Sequence, residues 1–72
     1  MFKTNERIKY LRTENKLTQV KLAEIIGITP ESIQRFEYGT ARPKLETLVK
    51  IADYFDVSMD YIIRRSDNLK RT

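Results

Sequence analysis

The chain has no histidine and no cysteine among its 72 residues, which closes off most nucleophilic and metal chemistry at once. Zinc fingers, Cys–His and Ser–His nucleophile pairs and haem attachment each need one or both of these side chains. Only Asp, Glu, Tyr, Lys and Ser remain for catalysis, and the sequence has neither clustered carboxylates nor a Gly-rich phosphate loop. No enzyme, cofactor or metal site is expected. The polar groups suited to recognition lie between Gln19 and Gly39, where Gln19, Ser32, Gln34 and Arg35 alternate with apolar residues at helical spacing.

The elements that hold these side chains can be read from the apolar stripes. Ile8 and Leu11 form the first, Leu22, Ala23 and Ile26 the second, and Ile33 and Phe36 the third. Leu45, Leu48, Ile51, Ala52 and Phe55 form the fourth, and Met59, Ile62 and Ile63 the last. These are i, i+3, i+4, i+7 patterns, and no segment alternates with period two for long, so the expected class is all-α. Thr4 or Asn5, Thr18, Thr29 and Ser58 each precede a stripe, where a side-chain oxygen can accept from free helix N–H groups. Pro30 sits at a first helical position, where its missing N–H costs nothing. Gly27 and Gly39, the only glycines, each close a helix, and Pro43 stops the chain before the fourth stripe.

The spacing predicts five helices, over about 5–14, 18–26, 29–38, 44–55 and 58–65. One domain over 1–65 is followed by a polar tail over 66–72, expected to be frayed. A core this small supplies no more than about 3–5 kcal/mol of net stability. The formal charge of +4 permits a polyanionic partner without establishing one. The N-terminus has no apolar run, and no stretch approaches the ~20 apolar residues of a membrane span. A cytoplasmic domain with no membrane partner is expected, and the absence of cysteine fits a reducing cytosol. The length suits both a complete small protein and a domain of a longer chain.

Gly27-Ile28-Thr29 alone joins the second and third helices, which is a helix-turn-helix connection. Ala23 lets the two helices approach, and Gly27 supplies the positive φ that a tight turn needs. Leu17-Thr18-Gln19, the run Leu22 to Thr29, Ser32-Ile33, Phe36-Glu37-Tyr38-Gly39 and Pro43-x-Leu45-Glu46-Thr47-Leu48 form an ordered set. With Leu48 to Ala52 and Phe55 to Ser58, this set resembles the phage Cro/repressor-like (Xre-type) helix-turn-helix family over about residues 5–63.

The resemblance implies a compact five-helix lambda-repressor-like domain, with helices 2 and 3 forming the helix-turn-helix and helix 3 entering the DNA major groove. It implies a transcriptional regulator, usually a repressor, that recognises double-stranded DNA. Gln19 becomes a phosphate and base contact, Thr29, Pro30, Glu31, Ser32 and Arg35 face the groove, and Gln34 lies at its edge. Lys21, Tyr38, Thr40, Arg42 and Lys44 are the candidate phosphate contacts. Lys16, Arg64, Arg65, Lys70 and Arg71 are mostly solvated surface.

Several roles stay open at this level. Arg35 can read guanine O6 and N7 with its planar fork, neutralise a phosphate, or pair with Glu31 one turn earlier. Glu31 fits the helix dipole, but it can also accept from cytosine N4, orient Arg35, or repel phosphate in a wrong register. Pro30 departs from the polar residue of relatives and serves as a helix starter or a thymine-methyl contact. Arg12 and Glu37 match a partly buried salt bridge of some relatives, against two separately solvated charges. Lys16 and Tyr38 stand where the family often has glycine and asparagine, and Lys44 replaces its usual capping serine.

Readers of this kind bind pseudo-palindromic operators as homodimers. Tyr54, Met59, Tyr61 and Ile63 are the candidate interface, Tyr61 and Ile63 foremost, while Met59 and Ile62 equally suit the monomer core. The alternative function is a protein-interaction module of the antitoxin or bridging-coactivator type. A polar third helix opposes that alternative, because a groove-docking helix would expose an apolar stripe there.

Overall fold

The computed structural model describes residues 4–63. Five helices follow one another: α1 (Thr4–Glu14), α2 (Gln19–Ile26), α3 (Pro30–Tyr38), α4 (Leu45–Phe55) and α5 (Met59–Ile62). The all-α reading and the order of elements hold. The expected tail over 66–72 and the end of the last helix at residue 65 lie outside the described residues.

Most helix starts fall one residue later than the stripes suggest, because the residue before each is a cap with extended backbone. Thr18, Thr29 and Ser58 accept from the N–H groups of Lys21, Ser32 and Tyr61 respectively. Lys44 occupies the same position before α4 but makes no side-chain cap bond. Thr4 and Asn5, expected as caps, lie within α1 instead, and Asn5 Nδ2 donates to the Glu37 carbonyl at 3.2 Å.

The helix ends follow from left-handed residues. Gly27 (φ 88°) and Gly39 (φ 92°) turn the chain after α2 and α3 and donate to the carbonyls of Ala23 and Arg35. Lys16 (φ 57°) and Asp56 (φ 54°) take the same region with a side chain attached, a conformation glycine adopts without steric cost. This explains why a glycine suits position 16.

Ile8, Leu11, Leu22, Ala23, Ile26, Ile33, Ile51, Ala52, Val57 and Ile62 form one core between the helices, joined by Tyr61. Ala23 is almost fully buried, as a close approach of α2 to α3 requires. Leu45 differs from its expected place in the fourth stripe: at the first position of α4 it is 71% exposed. The helices thus present α3 as a short rod fixed to the core by one face only.

Candidate nucleic-acid interface

The buried side of α3 consists of Ile33 and Glu37, with Phe36 half-buried beside them. The opposite side exposes Glu31, Gln34, Arg35 and Tyr38, an i, i+3, i+4, i+7 stripe on one helical face. Thr29 and Pro30 are exposed at its start and Ser32 is half-buried. The Thr29 and Ser32 hydroxyls lie 2.9 Å apart, so each is held by the cap as well as presented to solvent. Tyr38, 82% exposed, ends the stripe with its ring in water.

Arg35 and Glu31 form no ion pair among the described residues, so the intramolecular reading of Arg35 is not the arrangement observed. Its backbone carbonyl instead accepts from Gly39, Thr40 and Ala41 at 2.9, 3.0 and 3.4 Å. Those bonds curl the following loop against the end of α3. Thr40, Arg42 and Lys44 are exposed on that loop, while Ala41 and Pro43 are half-buried and anchor it. Two cations are therefore held next to a polar helix face.

Glu37 is the polar anchor beneath this surface. Arg12 donates to it twice, from Nε to Oε2 at 2.5 Å and from Nη2 to Oε1 at 3.0 Å. The two side chains are 12% and 4% exposed, so the pair is a nearly buried fork and not two solvated charges. Arg12 Nη1 also donates to the Leu17 carbonyl at 2.7 Å, tying the loop before α2 to the same point. Gln19 Nε2 completes the cluster by donating to Glu37 Oε1 at 3.1 Å. Lys21 is paired with Glu24 at 3.3 Å on the exposed side of α2, a surface contact worth little in solution.

The expected interface residues separate into two groups. Tyr54 and Ile63 are exposed, and the Tyr54 ring stands edge-on to Phe55 with centroids 5.0 Å apart. Met59 is half-buried against the core. Tyr61 is only 6% exposed, which corrects its expected place on an accessible patch. The physical reason is Arg7, whose guanidinium lies over the Tyr61 ring and draws it into the monomer. Arg64, Arg65, Lys70 and Arg71 lie outside the described residues.

Sequence reasoning missed Arg7 and the bond between Gln19 and Glu37. A signal existed for Arg7, since it falls one position before Ile8 and four before Leu11, on the buried side of α1. None existed for Gln19, because the contact joins residues 18 apart across the turn. Among the described residues no cluster of metal-binding side chains occurs, and no helix is long and apolar enough to cross a membrane.

Two short helices joined by a glycine turn, the second exposing a polar face, define a helix-turn-helix domain. A family model described as helix-turn-helix matches residues 8–62, and the chain belongs to that family. It is 36% identical over 66 residues to the uncharacterized HTH-type transcriptional regulator YqaE of Bacillus subtilis, covering 92% of this chain and 57% of that protein. It is 38% identical over 63 residues to the cryptic phage CTXphi transcriptional repressor RstR of Vibrio cholerae, covering 88% and 56%. The chain thus spans a little over half the length of these relatives. Its fold matches the solution structure of the DNA-binding domain of the P22 c2 repressor with a TM-score of 0.82 at 27% identity, covering 99% of this chain and 91% of that one.

Proposed function

We propose that the protein is a transcriptional regulator of the repressor type, binding double-stranded DNA in a sequence-specific manner with α3 in the major groove. The observation that carries this reading is the exposed stripe of Glu31, Gln34, Arg35 and Tyr38, fixed from behind by Ile33 and Glu37. Its side chains hydrogen-bond and do not form the apolar strip a protein groove would take. Arg35, with no ion pair of its own among the described residues, is the principal base reader, paired with guanine through two parallel bonds.

Thr29, Pro30, Glu31, Ser32 and Gln34 complete the groove-facing set, and Gln19, Lys21, Tyr38, Thr40, Arg42 and Lys44 approach the backbone. The protein acts in the cytoplasm, where DNA is accessible, as a homodimer on a pseudo-palindromic operator. Tyr54 and Ile63 are the exposed residues of the candidate interface. Sedimentation of the protein on a selected operator should give two protomers per duplex; one protomer per duplex would remove the dimer.

Chemical-shift mapping with a mixed-sequence duplex tests the surface before any operator is known. The largest changes should fall on backbone amides of residues 29–35 and 39–44. Changes confined to α5 and the outer side of α4 would reject this face.

A further inference from the structure

Gln19 opens α2 at the edge of the proposed DNA surface, and its amide has a fixed partner behind it. Glu37 Oε1 accepts from both Gln19 Nε2 and Arg12 Nη2, at 3.1 and 3.0 Å. A carboxylate paired with guanidinium can only accept, so the Gln19 amide must turn its NH2 inward. In solution a glutamine at the first turn of a helix samples both amide orientations.

Glu37 is itself held from several directions. Arg12 binds both of its oxygens, and its backbone carbonyl accepts from Asn5 Nδ2 at 3.2 Å. With its side chain 4% exposed, Glu37 lies behind the surface that a duplex would touch. Besides its fastening of α3 to α1 through Arg12, its contact with the DNA-side surface is the bond from Gln19.

We infer that Glu37 is a positioning residue, which fixes the Gln19 carboxamide so that its carbonyl oxygen and second N–H face the DNA. This rests on the proposed DNA-binding function and deepens it. The outward edge is one acceptor beside one donor. That edge matches adenine N6 and N7, and its N–H alone suits a phosphate oxygen. Fixing the edge before binding removes the rotamer cost of ordering it on contact.

The test is a double-mutant cycle in the full chain, with affinity for a selection-enriched duplex corrected for the folded fraction. Glu37→Gln keeps the shape but offers an amide, and should weaken binding on the order of tenfold. In a Gln19→Ala background the same change should have no further effect. An equal loss in both backgrounds would make Glu37 merely structural and overturn the inference. Arg12→Lys leaves the acceptor for Gln19 in place, so it should lower Tm without changing duplex preference; a changed preference would also overturn it. Comparing duplexes separates the sources of contact: loss at one A·T position marks a base, and uniform loss marks phosphate.

If Glu37→Gln does not fold, the wild-type protein gives the answer by NMR. The Gln19 side-chain amide should be as rigid as the backbone, and that of exposed Gln34 mobile. Equal mobility of the two amides would refute the positioning role. Wild-type protein with a rigid Gln19 amide and no duplex affinity would overturn the DNA reading while leaving the fixed orientation in place.

Discussion

The Arg7 guanidinium lies 4.3 Å from the centroid of the Tyr61 ring, and Arg7 Nη1 donates to the Tyr61 backbone carbonyl. The first and last helices are thereby fastened by one side chain that is 2% exposed. Cation–π attraction strengthens when both partners leave water, as here. Arg7→Ala should destabilise the fold by about 2–4 kcal/mol, from lost packing of the stem and the lost hydrogen bond to the Tyr61 carbonyl. Arg7→Lys should recover only part of this, because an ammonium lacks the planar fork. Urea unfolding measures both; an Arg7→Ala protein as stable as wild type would show the contact to be passive.

Arg12 and Glu37 make the second fastening, between α1 and α3. Removing either partner leaves a nearly buried charge uncompensated and should cost about 3–5 kcal/mol. In a domain of this size that approaches the whole net stability. The double replacement Arg12→Met with Glu37→Leu should cost clearly less than the sum of the single changes, because neither charge is left behind. Thermal unfolding of the four proteins gives the coupling directly, and strict additivity would mean the charges act independently.

Two positions are open to improvement. Lys16 holds a left-handed backbone at φ 57°, and Lys44 leaves the start of α4 without a side-chain cap. Lys16→Gly should add about 0.5–1 kcal/mol by relieving the Cβ clash, net of the flexibility glycine adds to the unfolded chain. Lys44→Ser should add about 1 kcal/mol through the missing cap bond. If Lys44 also meets a phosphate, the serine variant will be more stable and bind more weakly. Calorimetric Tm and a binding titration on the same samples separate the two effects.

Base and backbone contacts should respond differently to substitution. Arg35→Ala should cost about 1–3 kcal/mol on the best duplex and flatten the preference at one position. Arg42→Ala should weaken all duplexes alike and reduce the salt slope of log K by about 0.9. Uniform weakening by Arg35→Ala would move that residue to the phosphate class.

How much of this was legible in the sequence depends on the range of each interaction. The Gly27 and Gly39 turns, the Thr18, Thr29 and Ser58 caps and the stripes of Ile33 and Phe36 are local features, and they appear where spacing and residue type predict them. The Arg12–Glu37 pair was accessible only through family resemblance, since its members are 25 residues apart. Tyr61 was misjudged because periodicity cannot show that Arg7, 54 residues earlier, covers its ring. Leu45 was misjudged differently: it fits a helical period, but at the first turn of α4 the core does not reach it. The exposed stripe of α3 was visible as residue types, whereas the freedom of Arg35 from Glu31 required coordinates.

Sequence-specific recognition by α3 can be read from selection in a random duplex library followed by salt titration of the best site. An enriched, two-fold-related motif is expected, bound about 10³-fold or more tighter than unselected DNA at equal salt. The one position in each half-site that Arg35 reads should lose its preference when Arg35 is replaced. Recovery of no motif, with equal affinity for every duplex and a slope set by charge alone, would contradict it.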